Sequence, residues 1–208
     1  MQLSIAILAG GKSQRFGQDK AVLFLPGIVT ECLATGLPLV VIGRAAHPEL
    51  PASVRCFPDA LPNQGPLGGI ITALQATQGP VLALACDLPE LRREAISWLI
   101  QSWEQAERAE NIEILVAAHP QTNNTLQTNN TPSSLEPLFA IYSPACLAMA
   151  EELLLAGRRS LHGLIQHSRW KEALLPPELA AQLHNVNTPD DLQRGPALPA
   201  PYPPPGGG

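Results

Sequence analysis

Lys12, Arg15 and Lys20 place three cations within nine residues of a chain that carries only 13 Lys and Arg. They flank Gly10-Gly11 in the stretch Leu8-Ala9-Gly10-Gly11-Lys12-Ser13-Gln14-Arg15-Phe16-Gly17-Gln18-Asp19-Lys20. Glycine lets the chain turn with positive φ and bring backbone N–H groups against a ligand with no Cβ in the way. Successive N–H groups of that kind form an anion-binding concavity. Bare amides beside concentrated cations suit a polyphosphate. Two familiar phosphate loops do not fit. A Walker loop would need glycine at position 6, which is Ala6. The dinucleotide fingerprint needs a residue between its first two glycines, and Gly10 and Gly11 are adjacent.

A carboxylate completes this chemistry. Asp87 follows the apolar run Val81–Cys86 and precedes Pro89, so it stands at the carboxyl end of a strand, where open α/β sheets bind ligands. Facing a phosphate loop, it reads as a Mg2+ ligand, since Mg2+ takes one or two carboxylates plus substrate phosphates and water. On position alone, capping of a helix beginning at Pro89-Glu90 is an equal reading. Asp59, just before Pro62, fits an Asx turn. Asn187 lies in a C-terminal stretch that could return to the site, although Thr188-Pro189-Asp190-Asp191 also reads as an ordinary helix start. His47, His119, His162, His167 and His184 have no metal-ligand spacing and receive no role. Trp98, Trp103 and Trp170 are expected in the core or an interface.

The elements that must hold these residues are legible as apolar runs. Leu3–Ala9, Leu39–Gly43, Val81–Cys86, Ile112–Ala118 and Leu138–Tyr142 are continuous rather than alternating, which predicts strands covered on both faces in a largely parallel sheet. Helices are predicted between them at Gly69–Thr77, Glu90–Ala109, Pro144–Ala156, Ser160–His167 and Pro177–Leu183. Strands alternating with helices give an α/β layered domain. Only Gly27–Leu37 separates Pro26 from Pro38, so the first crossover helix is expected to be curtailed.

Composition narrows the function classes. Net charge is −5 and no Lys/Arg run forms a stripe, which argues against nucleic-acid or membrane-surface binding. Cys32, Cys56, Cys86 and Cys146 show no CxxC spacing, so reduced, mostly buried thiols in a cytoplasmic protein are expected rather than a zinc site. No apolar run reaches transmembrane length. Charged residues are 15% against about 25% typically, and there are 22 prolines. Residues 122–134 are polar and repeat TNNT, which predicts a flexible loop. Residues 195–208 hold six Pro and four Gly, which predicts a disordered tail.

The stretch LAGGKSQRFGQDK resembles the signature loop of the molybdenum cofactor guanylyltransferase (MobA-type) family of nucleotidyltransferases, with Phe16 where Met is common. Four further segments resemble that family in order: Gln64–Ile70, Ala85–Pro89, Glu136–Ala140 and Asn185–Leu192. The resemblance implies a three-layer Rossmann-like nucleotidyltransferase domain over 1–194, with a mostly parallel central sheet. It implies transfer of GMP from GTP to the molybdopterin form of the cofactor, with release of pyrophosphate. Leu8, Ala9, Gly10, Gly11, Lys20, Asp59, Pro66, Leu67 and Asp87 would bind the nucleotide. Asp59 would accept from guanine, Arg15 and Lys20 would steady phosphates, and Asp87 would hold Mg2+. Asn187 would help close the site around the pterin. Molybdenum cofactor biosynthesis proteins or molybdoenzyme chaperones would be transient partners.

Three alternatives stand beside this expectation. Cytidylyl-transferring relatives usually read LAAG, and the missing methyl at Gly10 leaves room for a purine. A sugar-phosphate nucleotidyltransferase is more distant. A non-catalytic GTP-binding accessory protein would keep the loop without turnover.

Overall fold

The computed structural model describes residues 2–10, 20–44, 50–120 and 134–184, with backbone only for 20–22. In chain order the elements are β1 (Ser4–Leu8), α1 (Lys20–Leu33), β2 (Leu39–Ile42), β3 (Arg55–Phe57), α2 (Gly65–Thr77), β4 (Val81–Ala85) and α3 (Arg93–Glu110). Then come β5 (Ile114–His119), β6 (Ser134–Tyr142), α4 (Leu147–Leu155), α5 (Leu161–His167), β7 (Trp170–Leu174) and α6 (Pro177–Ala180). Short 3-10 turns at Pro144–Cys146 and Ala181–Leu183 precede α4 and follow α6.

Among the described residues the strands form one seven-stranded sheet in the order β3-β2-β1-β4-β6-β5-β7. Only β6 runs antiparallel to its neighbours. Side chains leave a strand alternately to either face, so the sheet feeds two cores. Ile5, Ile7, Leu82 and Leu84 meet α1 and α3 on one face. Ala6, Leu8, Val40 and Ala83 meet α2, α4 and α5 on the other. This is the three-layer α/β arrangement the apolar runs predict, and all five predicted strands are present.

Two strands carry no continuous apolar run. β3 is three residues long and pairs only with β2. β7 is an edge strand on which Trp170 and Leu174 are exposed; of the tryptophans, Trp103 alone is fully in the core. β6 begins earlier than the sequence predicts, at Ser134. The register shifts between Val116 and Ala117, and this bulge gives room for Pro137, which has no N–H for the ladder. The Tyr142 hydroxyl donates to Pro137 O at 2.8 Å.

The first crossover helix is not curtailed. α1 runs through Pro26 to Leu33. The proline sits in the helix because Phe24, Leu25, Ile28, Val29 and Cys32 form a stripe that packs on the sheet; burial of that stripe outweighs the roughly 3 kcal/mol a helix-interior proline costs. Thr30 Oγ1 donates to Pro26 O at 2.9 Å. α1 also serves its neighbour, because Glu31 Oε2 accepts the Arg93 N–H at 2.9 Å and satisfies one of the orphan donors that open α3.

Helix starts moved by a few residues for local reasons. α2 begins at Gly65 rather than Gly69, with Pro66 in its first turn, where the missing N–H costs nothing. α3 begins at Arg93, not Glu90. Ser160 caps α5, as its Oγ accepts from Gly163 N. No disulfide joins Cys32, Cys56, Cys86 and Cys146, and burial pushes the Cys146 thiol up to about 12. No helix among the described residues is long and apolar enough to cross a membrane. The expected loop over 122–134 lies outside the described residues except for Ser134, which belongs to β6, and the tail over 195–208 lies outside them entirely.

Candidate functional site

Parallel pairing lines up the strand ends. Phe57 pairs with Ile42, Ile42 with Leu8, and Leu8 with Ala85, so one row crosses β3, β2, β1 and β4. Asp59, Gly10 and Asp87 each stand two residues beyond a member of that row. Three residues far apart in sequence therefore share one edge because the sheet is parallel there.

A cleft of about 750 Å³ opens at this edge, lined by Leu8, Gly10, Ile42, Gly43, Asp59, Pro62, Asn63, Gly65, Pro66, Gly69 and Leu138. Its floor is backbone. A Cβ on Gly10 would lie 3.3 Å from Gly43 Cα. A Cβ on Gly43, whose φ is +97°, would fall on Gly10 N and Cα, inside the 3.0 Å that real Cβ contacts keep. Gly10 is thus held free of a methyl by its neighbour strand as well as by any ligand. α2 closes one side, with Gly69 against Leu8, where a Cβ would lie 3.2 Å from Leu8 Cδ1.

Asp59 is fixed in this wall. Its Oδ1 accepts the Leu61 N–H at 3.0 Å, which is the Asx turn, and lies 3.2 Å from Thr72 Oγ1. The turn and the cleft position are compatible, since a carboxylate has about four acceptor positions.

Asp87 is half-buried beyond the end of β4 and does not line the cleft. It is not a cap for the following helix, because the N-cap of α3 is Arg92. The N–H groups at that helix start go to Glu31 and to Gln182 Oε1. Of the other predicted residues, Leu8, Gly10 and Pro66 line the cleft. Ala9 packs into the α1/α3 core, and Leu67 is 0% exposed in the α2 core; neither lines the cleft. Lys20 opens α1, but its side chain is outside the described set. Gly11, Lys12, Arg15 and Asn187 lie outside the described residues.

Ile42, Gly43, Pro62, Asn63, Gly65, Gly69 and Leu138 complete the lining, and the sequence reading assigned none of them a binding role. Asn63 has φ +63°, and an Asn in Pro62-Asn63-Gln64-Gly65 is a turn signal that could have marked it. Further along the same edge, His119 Nε2 lies 3.1 Å from Glu136 Oε1. Burial raises the Glu136 carboxyl above its ordinary value, against an opposing pull from His119.

Comparison with known proteins agrees with this architecture. A protein from Chloroflexus aggregans named "probable molybdenum cofactor guanylyltransferase" is 35% identical, covering 93% of this chain and 93% of its own. One of the same name from Nostoc is 34% identical, covering 91% and 88%. The solved structure of molybdopterin-guanine dinucleotide biosynthesis protein A from Archaeoglobus fulgidus superposes with TM-score 0.69 at 23% identity, over 92% of this chain and 95% of that one, which is a likeness of fold. Residues 5–173 match the MobA-like NTP transferase domain family. Since that match takes in the whole sheet but the first residue of β1 and the last of β7, together with the cleft and Asp87, the chain belongs to the MobA-like NTP transferase family and is a nucleotidyltransferase.

Proposed function

We propose that the protein transfers GMP from GTP to the molybdopterin form of the molybdenum cofactor, giving the guanine dinucleotide cofactor and pyrophosphate. The observation that carries this reading is the shared strand-end row, with Asp59 at one end and Asp87 at the other. Three strand spacings separate them, roughly 14 Å. That leaves room for a base at the Asp59 end and phosphates at the Asp87 end, with Gly10 between.

The roles follow from chemistry. Asp59 accepts from N1–H and the N2 amine of guanine, donors that cytosine does not present in that arrangement. The Gly10 backbone passes close to the nucleotide because nothing projects from it. Arg15 and Lys20 balance the phosphate charge. Asp87 suits Mg2+, a hard cation that takes carboxylate oxygen together with substrate phosphates and water. Bound there, Mg2+ would neutralise charge on the phosphate oxygens. The protein's own task is to hold the acceptor phosphate and the α-phosphorus together and to offset developing charge.

Purified protein given Mg2+, GTP and molybdopterin cofactor is expected to release pyrophosphate. Equal or better turnover with CTP would replace guanylyl by cytidylyl transfer. GTP binding with no turnover would leave a nucleotide-binding accessory protein.

A further inference from the structure

Thr72 is 5% exposed, one turn beyond Gly68 in α2. Three described threonines donate to the carbonyl four residues back in their own helix: Thr30 to Pro26, Thr77 to Ala73 and Thr72 to Gly68, each at 2.9 Å. That bond alone satisfies a helical threonine hydroxyl. Thr72 differs in reaching off its helix to the segment that carries Asp59. Its Oγ1 accepts the Ala60 N–H at 3.3 Å and lies 3.2 Å from Asp59 Oδ1. The hydroxyl has one proton, shared between Gly68 O and Asp59 Oδ1.

The helix and this segment are already pressed together at Gly68, where a Cβ would meet Leu61 O at 2.9 Å and Gln64 Cβ at 3.0 Å. Thr72 is therefore the polar link across a backbone-close seam. With Leu61 N–H and Thr72 both on Oδ1, the other carboxylate oxygen of Asp59 has no hydrogen-bond partner among the described residues.

We propose that Thr72 is a positioning residue for base discrimination: its hydroxyl anchors Asp59 Oδ1 to α2, so that Oδ2 is presented to the donor edge of a purine bearing an exocyclic 2-amine. This rests on the reading of Asp59 as the base-recognising carboxylate. It adds a residue that touches neither substrate nor metal.

The test compares kcat/KM for GTP and for ITP, which lacks the 2-amine, in the full 208-residue chain. Asp59→Asn keeps an acceptor for the Asx turn but removes the carboxylate, and it is expected to lower the GTP/ITP preference by about tenfold or more. Thr72→Val keeps the side-chain shape without the hydroxyl, and it is expected to lower the preference by about three- to tenfold, mainly through KM for GTP. Thr72→Ser should restore the preference. If Thr72→Val does not fold, Thr72→Ala supplies the same reading. A Thr72→Val or Thr72→Ala preference equal to the wild type, with Asp59→Asn collapsed, overturns the role of Thr72. So does Thr72→Ser behaving like Thr72→Val, since the methyl and not the hydroxyl would then matter. An unchanged preference in Asp59→Asn instead removes the base-recognition reading, and the Thr72 proposal with it.

Discussion

The two halves of the sheet solve different problems. In β3-β2-β1-β4 all strands are parallel, and their ends turn away through Gly10, Gly43, Asp59 and Asp87. Backbone meets backbone there at Gly10 and Gly43, where a Cβ on either would crowd the other. In β6-β5-β7 the direction of β6 reverses, and charged side-chain pairs reinforce the backbone ladders. Arg169 binds Glu113 at 2.9 Å, Lys171 pairs with Glu110, and His119 faces Glu136. The first half spends its sequence on room and the second on hold. Gly157, between α4 and α5, is a different kind of glycine from Gly43: its φ is +75°, but nothing lies within 4 Å of a Cβ there.

Four substitutions test this contrast. Asp87→Ala is expected to cut pyrophosphate release by at least about 10²-fold while leaving the far-UV circular dichroism unchanged; activity within a few-fold of wild type would remove the metal reading. Gly43→Ala combines a positive φ with overlap on Gly10, and should cost about 3 kcal/mol or more, a drop in Tm of roughly 6–12 °C for a chain this size. Gly157→Ala carries only the backbone penalty, about 1 kcal/mol, or roughly 2–4 °C. Equal losses at the two glycines would show that the Gly10–Gly43 approach adds nothing beyond φ.

The smallest effect is expected at Glu136. Its carboxyl titrates above the ordinary range in the folded chain because it is partly buried. A raised folded value means that stability is greatest below the unfolded value near 4.5 and is lost as pH rises through the folded one. Glu136→Gln should therefore match the wild type at acid pH and gain on it toward neutrality, by roughly 2 °C or less. A constant difference across pH would assign the effect to packing.

How much of this was legible depends on how local each cause is. β1, β2, β4 and β5 show in the sequence because burial on both faces forces unbroken apolar runs. β3 and β7 do not: one is three residues long, and the other is an exposed edge whose Trp170-Lys171-Glu172-Ala173-Leu174 mixes both kinds of residue. Pro26 misled because a breaker is a local signal, while the stripe from Phe24 to Cys32 earns its place by packing. Asp59 was legible as a turn residue and Asp87 as a strand-end carboxylate. That they share one row with Gly10 needed the strand order. Gly43 and Thr72 carried no signal, since what singles them out is a partner on another element.

The register of β5 and β6 has a consequence for how this domain tolerates change. His119 and Ser134 are opposite one another across the ladder, so whatever joins them closes a gap the sheet has already closed. Ring-closure entropy then grows only with the logarithm of length, about 0.6 kcal/mol for each doubling. Closure entropy is therefore a small part of what lengthening the connection between these two residues would cost.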